Sequence, residues 1–302
     1  TFLLCLPMSQ ATEDVSLLDA IFTATSAVCV TGLTVVDTGS DFSPIGQGII
    51  LLLIQAGGLG VMAFAAMAFD FIGRTMSLRA QTAFNESFFQ RDAATEFRHR
   101  LSQIIKTVFA FEVGGALLLF VGFSRHHSLA MAASSAVFHA VSAFCNAGFS
   151  LYRESLIDFR QDVLIVLTVS ILIVVGGIGQ PVLLELLGRI RHGCHPAPGR
   201  RGFSLHTRVV LWSSFLLIVG GAALLVLAGL TAAEGSALER GSAALFQSVT
   251  ARTAGFNTVN ISGLPLASLL VLCMLMFVGG SPGSCAGGIK TTTAVLWLAR
   301  FT

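Results

Sequence analysis

Three stretches decide the fold: Phe22-T-A-T-S-A-V-C-V-T-Gly32, Phe138-H-A-V-S-A-F-C-N-A-Gly148 and Phe246-Q-S-V-T-A-R-T-A-Gly255. In each of them a short helix-like run of small polar and apolar residues leads directly to a glycine. The three glycines are 116 and then 107 residues apart, which is about the length of one membrane hairpin unit. Because similar segments repeated around an axis can enclose a channel, the pattern predicts a pore.

The composition predicts an all-α polytopic membrane protein. Hydrophobic residues make up 54% of the chain and charged residues only 11%, whereas soluble proteins carry about 25% charged residues. Four charge-free stretches exceed the ~20 residues that cross a bilayer; they lie between Asp41 and Asp70, Asp162 and Glu185, Arg208 and Glu234, and Arg252 and Lys290. A fifth, from Lys106 to Arg125, is interrupted only by Glu112.

The distribution of charge predicts the orientation in the membrane. Arginine and lysine concentrate in two loops, 73–100 and 191–206 with their flanks, whereas residues 9–43 carry five acids and no base. The positive-inside rule places both basic loops in the cytoplasm of a protein of the cell membrane and the three glycine segments near the extracellular side. Because topology explains the basic loops, we expect no nucleic-acid partner.

The residues carry no sign of catalysis or of a resident metal. The six cysteines do not form an external disulfide framework, and His192-G-C-His195 is the one metal-like cluster, without a second ligand pair nearby. No nucleophile and base converge in the sequence. We therefore expect a protein that is not an enzyme and that has no cofactor in this chain.

The chain reads as three tandem repeats of helix, pore half-helix, glycine segment and return helix. The repeats are predicted at 1–72, 101–190 and 207–302, with cytoplasmic loops at 73–100 and 191–206. Their half-helices are predicted near 16–26, near 130–143 and from Ser236, and their return helices near 43–72, 160–190 and 264–300. Each return helix carries a glycine pair, which indicates close helix packing in the first two; the pairs are Gly57-Gly58, Gly176-Gly177 and Gly279-Gly280.

A half-helix of about a dozen residues ends inside the membrane, where irregular backbone is tolerated only if protein buries it or water lines it. The glycine-containing backbone after such a helix offers carbonyl oxygens that can replace the hydration shell of an alkali cation. The predicted lining residues of these three filter segments are Val30, Thr31 and Gly32, then Asn146, Ala147 and Gly148, then Thr253, Ala254 and Gly255. None of them is acidic, so a monovalent cation is favoured over calcium.

The three segments resemble successive filter motifs of the Trk/Ktr/HKT superfamily of potassium transporters. The stretch M-F-V-G-G-S-P-G-S-C-A-G-G-I-K-T-T-T at 276–293 is similar to that family's intramembrane loop in the Ktr-type membrane subunit. The resemblance implies pseudo-fourfold repeats around one pore, potassium uptake across the plasma membrane, a homodimer in membrane lipid and a cytoplasmic ring of nucleotide-binding regulatory subunits. Compared with the four repeats of that family, this chain is expected to be a fragment that lacks the first helix and the fourth repeat.

The intramembrane loop, predicted at 277–289, is expected to act as a gate below the filter. Its glycines and proline deny helix continuity; they are Gly279, Gly280, Pro282, Gly283, Gly287 and Gly288. Ser281, Ser284 and Lys290 are expected to obstruct the path by hydrogen bonding or charge. A nucleotide P-loop is disfavoured, because Ile289 separates Gly288 from Lys290 and a transmembrane helix precedes the glycines.

Two charges inside the membrane region are interpreted as structural. Arg252 is expected to turn away from the pore axis and to pair with a carboxylate behind the filter, for which Glu112 is one candidate. The alternative function is a sodium-conducting protein or an ion-coupled secondary transporter built on broken helices. Sequence alone leaves that alternative open, because selectivity depends on filter geometry.

Overall fold

The computed structural model describes residues 1–12, 15–75, 93–191, 202–230 and 237–300. These residues contain no β-strand and form ten α-helices, which are α1 (Leu17–Val28), α2 (Pro44–Thr75), α3 (Ala93–Phe123), α4 (Leu129–Phe144), α5 (Val163–Gly177), α6 (Gln180–Arg191), α7 (Leu205–Leu227), α8 (Ala237–Thr250), α9 (Leu266–Phe277) and α10 (Thr291–Ala299). Short 3₁₀ turns lie at Phe2–Cys5, Pro7–Ser9, Ile157–Phe159 and Ile261–Gly263.

Several predicted features lie outside the described residues. These features are most of the basic loops 73–100 and 191–206, the residues His192 and His195, and the predicted half-helix start at Ser236. At the edge of the first loop, α3 begins at Ala93 rather than near residue 101.

The described helices are those of a polytopic membrane protein. Three of them are long and apolar enough to cross a bilayer by length and composition, at Pro44–Ala65, Leu101–Phe123 and Leu205–Leu227. A fourth candidate span is a bent pair, Val163–Gly177 with Gln180–Ile190. The predicted all-α membrane fold is therefore confirmed.

Three shorter helices are the predicted half-helices. Helices α1, α4 and α8 have 12, 16 and 14 residues, fewer than the ~20 that span a bilayer. The start of α1 is fixed by the predicted capping box: Asp19 N donates to Ser16 Oγ at 3.2 Å, and Ser16 N donates to Asp19 Oδ2 at 3.1 Å. Each short helix packs against a long one, α1 on α2, α4 on α3 and α8 on α7.

The second return helix is broken, and the prediction of one continuous helix over 160–190 is wrong. Helix α5 ends at Gly177, and α6 leaves at an angle of 109°. Gly179 takes a φ of +88° at the bend, which L-residues resist, and Pro181 occupies the second position of α6, where its missing N–H costs nothing. The freed backbone groups find partners in the intramembrane loop: Ser281 N donates to Gly177 O at 2.9 Å, and Gln180 N donates to Gly283 O at 3.1 Å.

The first two glycine pairs pack return helices against the ends of half-helices, as predicted. A Cβ at Gly57 would lie 2.0 Å from Val28 O, and one at Gly176 would lie 1.8 Å from Phe144 O. Val28 and Phe144 both stand four positions before the glycine of their filter segment. A glycine is therefore required at the same place in both repeats, so that helix backbone can touch half-helix backbone.

The hydrophobic core lies behind the filter segments. It is dominated by phenylalanines that are almost fully buried and that come from α3, α4, α8 and the chain after the second and third glycines: Phe123, Phe144, Phe149, Phe246 and Phe256. These rings hold the half-helices at fixed positions, and so they position the backbone that follows.

We predict that Gly176→Ala strongly destabilises the protein, whereas Gly114→Ala does not. The new methyl group at 176 would overlap the Phe144 carbonyl, while nothing lies within 4 Å of the corresponding position at Gly114. Overpacking of this kind costs about 1–3 kcal/mol or more, whereas glycine to alanine inside an exposed helix gains up to ~1 kcal/mol. Thermal unfolding of both variants in detergent measures the difference, and equal midpoints would contradict the packing described here.

Candidate functional site

The first two filter segments leave their half-helices through the same backbone hydrogen bond. Thr31 N donates to Ser26 O at 2.9 Å, and Ala147 N donates to Ser142 O at 2.8 Å, in each case five residues back. Ser26 and Ser142 are both buried. The same turn therefore delivers the chain from helix to filter in both repeats.

The third segment is one residue shorter, and its turn is tighter. Ala254 N donates to Thr250 O at 2.9 Å, four residues back, and Gly255 N lies 3.4 Å from the same oxygen. The missing residue is thus absorbed in the turn, and the third glycine still reaches a comparable place.

All three segments share an unusual backbone. The first and third residues of each have positive φ, while the middle residue does not; the values are 55° and 73° at Val30 and Gly32, 57° and 72° at Asn146 and Gly148, and 68° and 88° at Thr253 and Gly255. Positive φ is strained for β-branched residues. Strain of this kind persists only where surroundings impose it, and it clusters at functional sites.

The three segments converge, backbone against backbone. A Cβ at Gly32 would lie 2.2 Å from Ala147 O, and a Cβ at Gly148 would lie 2.6 Å from Ala254 O. The Cα of Gly148 would in turn be 3.3 Å from a Cβ at Gly255. Segments more than 100 residues apart in sequence therefore stand side by side, in the order first, second, third, with a carbonyl oxygen at each junction.

Backbone groups, rather than side chains, form the surface at the point where the three segments converge. The glycines are partly or fully exposed, whereas Ala147 and Ala254 are buried. The half-helices α1, α4 and α8 end just before the segments, so the partial negative charge of their C-termini lies close to the glycines. Carbonyl dipoles and helix C-termini together favour a cation over an anion.

Sequence reasoning missed the support behind the second segment. His139 is fully buried; its Nδ1 lies 2.7 Å from Ser135 O and its Nε2 lies 2.9 Å from Ser150 Oγ. Its ring stacks on Tyr152 with 5.2 Å between centroids, and Tyr152 donates from its hydroxyl to Ser135 Oγ at 3.0 Å. The available signal was a histidine at a position where the other two repeats have Thr23 and Gln247.

The intramembrane loop occupies residues 278–290, between α9 and α10. Its two ends are tied together, since Gly279 N donates to Ile289 O at 3.1 Å and Ile289 N donates to Phe277 O at 3.1 Å. Gly280 N also donates to Gly287 O at 3.2 Å. The loop is therefore a compact, hydrogen-bonded body that interrupts the third return helix, at the place where the glycines predict a break.

The polar side chains of the loop hold the loop together. Ser281 and Ser284 are buried; the Ser281 hydroxyl lies 2.9 Å from Thr291 Oγ1, and Ser284 Oγ donates to Ser281 O at 2.6 Å. Lys290 Nζ donates to Ala286 O at 2.6 Å. Both serine hydroxyls are therefore engaged in hydrogen bonds within the loop and with Thr291, and obstruction of the path by Ser281 and Ser284 stays a prediction. The exposed part of the loop is 287–289.

The loop touches the third filter segment directly. Gly287 N donates to Thr253 Oγ1 at 3.0 Å, so a filter residue and the exposed part of the loop share a hydrogen bond. On the opposite side, Cys285 Sγ lies 3.4 Å from Gly58 O of α2.

The two membrane charges do not pair with each other, and the candidate pairing of Arg252 with Glu112 is wrong. Arg252 is buried, and its Nη2 donates to Ser214 Oγ at 3.3 Å and to Gly279 O at 3.4 Å. Glu112, also buried, accepts a hydrogen bond from Gln55 Nε2 at 3.1 Å. Arg252 thus contacts the first residues of the loop, where a backbone carbonyl takes the place of the expected carboxylate.

Comparison with known proteins places this geometry in a family. A family model described as TrkH, cation transport protein, matches residues 3–301. The potassium/sodium uptake protein NtpJ of Enterococcus hirae is 36% identical over 99% of this chain. The Ktr system potassium uptake protein B is 36% identical over 99% of the chain in Vibrio alginolyticus and 34% identical over 98% in Bacillus subtilis. This chain spans 65% of the length of each of these relatives.

A solved structure has the same fold. The potassium transporter TrkH from Vibrio parahaemolyticus matches with a TM-score of 0.72 and 20% sequence identity, over 95% of this chain and 56% of that one.

We predict that Arg252→Gln loosens the start of the intramembrane loop, whereas Arg240→Gln does not. Arg240 lies on α8, the helix that ends just before Arg252, and is exposed. A hydrogen bond from a charged donor contributes about 1.5–3 kcal/mol, so its loss at Gly279 O raises local opening by about tenfold or more. Hydrogen–deuterium exchange of peptides covering 279–290 measures this, and unchanged exchange in Arg252→Gln would rule out an anchoring role.

Proposed function

The chain belongs to the TrkH family of cation transport proteins, and on that premise we propose that it forms the pore of a protein for potassium uptake. The single observation that carries the proposal is the mutual contact of the three filter segments at Gly32, Gly148 and Gly255. Ions would pass the carbonyl oxygens of 30–32, 146–148 and 253–255.

The chemistry of the segments favours a monovalent cation. No acidic side chain lies in them, and backbone carbonyls suit an alkali ion that sheds its water on entry. Three of the relatives are named for potassium uptake, and one of these names also includes sodium. We take potassium as the transported ion; sodium conduction, or coupling to a second ion, is the alternative that the first experiment below decides.

We propose the division into repeats at 1–72, 101–190 and 207–302. What supports it is the recurrence of one contact: the carbonyl four positions before the filter glycine touches a glycine of the return helix, at Gly57 and again at Gly176. Two repeats with the same internal contact fit a duplicated unit.

We propose that the intramembrane loop gates the pore. The loop lies against the third filter segment through the hydrogen bond from Gly287 to Thr253, and its contacts with Gly58 and Gly177 are single hydrogen bonds. A compact body held by a few such bonds fits an element with two positions. Its exposed part, 287–289, is the part that would meet the ion.

The remaining expectations are proposals that rest on sequence alone. They are a location in the cell membrane with the filter segments toward the extracellular side, a homodimer surrounded by lipid, and a cytoplasmic nucleotide-binding ring that meets the basic stretches 73–106 and 189–208. Any response to nucleotide would then come from that partner.

Rubidium uptake in a strain that lacks potassium uptake tests the function. We expect cells that express the full-length protein carrying this sequence to take up rubidium, with excess potassium competing strongly and excess sodium weakly. Gly148→Ala should lower uptake to the level of the empty vector, because the methyl group would overlap Ala254 O; Gly220→Ala, with open space around it, should not. Equal competition by sodium would favour the alternative, and no uptake by a folded protein would refute the proposal.

Thr253→Val tests the gate. The variant keeps the shape of the side chain but removes the acceptor for Gly287 N–H, so the loop should open more often and rubidium uptake should rise. Loss of one neutral hydrogen bond, about 0.5–1.5 kcal/mol, corresponds to roughly a two- to tenfold shift in the open population.

Thr258→Val is the matched control for the gate. Thr258 is buried and follows the third segment closely in sequence, but its hydroxyl has no hydrogen-bond partner, so uptake should not change. Deletion of 279–288 should raise uptake further. If neither Thr253→Val nor the deletion alters flux in folded protein, the loop is not the gate.

A further inference from the structure

Two buried thiols meet beneath the second filter segment. Cys145 directly precedes that segment, and Cys285 lies in the intramembrane loop. A Cβ placed on Gly58 would be 2.7 Å from the sulfur of Cys145 and 3.2 Å from the sulfur of Cys285. Both sulfurs therefore lie against the same point on α2, beside Gly58.

Both cysteines are reduced and buried, at a point where α2, α3, the end of α4 and the intramembrane loop meet. Cys145 is 1% exposed and Cys285 7% exposed, and neither forms a disulfide. Cys145 Sγ lies 3.9 Å from Glu112 Oε1 of α3, and Cys285 Sγ lies 3.4 Å from Gly58 O of α2. The contact joins the loop to the rest of the fold through side chains that the proposed transport does not use.

We propose that Cys145 and Cys285 form a modification site that hydrogen peroxide oxidises reversibly to a disulfide, which ties the intramembrane loop to the second filter segment. Because both thiols are almost fully buried, the reactant has to be a small oxidant, and hydrogen peroxide is one. The consequence for uptake rests on the proposed gating function of the loop.

The chemistry balances with the residues present. Cys145 gives its proton to the Glu112 carboxylate, and the thiolate attacks one oxygen of the peroxide. The O–O bond breaks, and the departing hydroxide takes the proton from Glu112 to become water, leaving a sulfenic acid on Cys145. The Cys285 sulfur then attacks the Cys145 sulfur, and the hydroxyl leaves with the thiol proton as a second water. Two thiols are oxidised by two electrons and one peroxide is reduced to two waters.

The position of the pair makes it specific among the cysteines of the structure. Cys29 and Cys273 are exposed, and Cys5 is half-buried in the first turns of the chain. Among the described glycines, Gly58 is the one at which an added Cβ would meet two sulfur atoms. The missing side chain at Gly58 leaves the space in which the sulfurs meet.

The experiment uses the full-length protein with Cys5, Cys29, Cys194 and Cys273 changed to serine. Membranes are treated with hydrogen peroxide, free thiols are blocked, and the disulfide-linked peptide is quantified by mass spectrometry. We expect a Cys145–Cys285 link in most of the protein and none in Cys145→Ser or Cys285→Ser. Gly58→Ala, which separates the sulfurs, and Glu112→Gln, which removes the proton acceptor, should both slow its formation.

Rubidium uptake before and after peroxide gives the functional arm. A tied loop should lower uptake by roughly tenfold or more, and dithiothreitol should restore it, while the single serine variants should not respond. The link is also measured in the full-length protein that keeps all its cysteines, so a misfolded variant does not decide the outcome.

The possible results separate the two proposals. Absence of the link in folded protein overturns the thiol site and leaves the gate intact. A link that forms without any change in uptake establishes the site but shows that the loop need not move, which refutes the proposed gate.

Discussion

The rest of the structure depends on one close approach, that of a filter glycine to the backbone carbonyl of the next segment. Gly32 meets Ala147 O, and Gly148 meets Ala254 O, at distances that leave no room for a Cβ. Such contact requires each segment to arrive at the same depth and in the same conformation, although more than 100 residues separate them in sequence. The half-helices, the turns that end them and the phenylalanines behind them together bring the three glycines to one place.

The membrane imposes the second constraint, which is that no backbone group is left without a partner. The second and third return helices are both interrupted, and each interruption would be costly alone. They occur side by side, and the groups that one break frees are used by the other: Ser281 N bonds to Gly177 O, and Gln180 N bonds to Gly283 O. The close approach of the two breaks requires a glycine at 179, because a Cβ there would lie only 2.4 Å from Pro282 O. The two breaks therefore form one structural unit.

This interdependence explains what could be predicted from the sequence and what could not. Local signals located the half-helices, since Ser16 and Asp19 form their capping box within one turn, and glycines and a proline marked the interrupted third helix. The break at Gly179 was missed because the preceding glycine pair also serves helix packing, and because its partners lie a hundred residues further on. The wrong pairing of Arg252 with Glu112 has a similar origin: sequence shows which charges are buried, but not that a helix break exposes the carbonyl of Gly279 as a closer acceptor.

Thr253 shows how the filter and the loop come to act together. A β-branched residue at positive φ costs on the order of 1–3 kcal/mol, and a neutral hydrogen bond returns only about 0.5–1.5 kcal/mol, so the bond to Gly287 does not by itself hold Thr253 in place. Val30 takes the same kind of φ in the first segment with no hydroxyl at all, which means that the packing around each segment imposes the conformation. The Thr253 hydroxyl is therefore not needed to hold the filter conformation, and its hydrogen bond with Gly287 can form or break with the position of the loop. A filter that is rigid without the loop, and that shares one hydrogen bond with it, allows the loop to move while the filter keeps its shape.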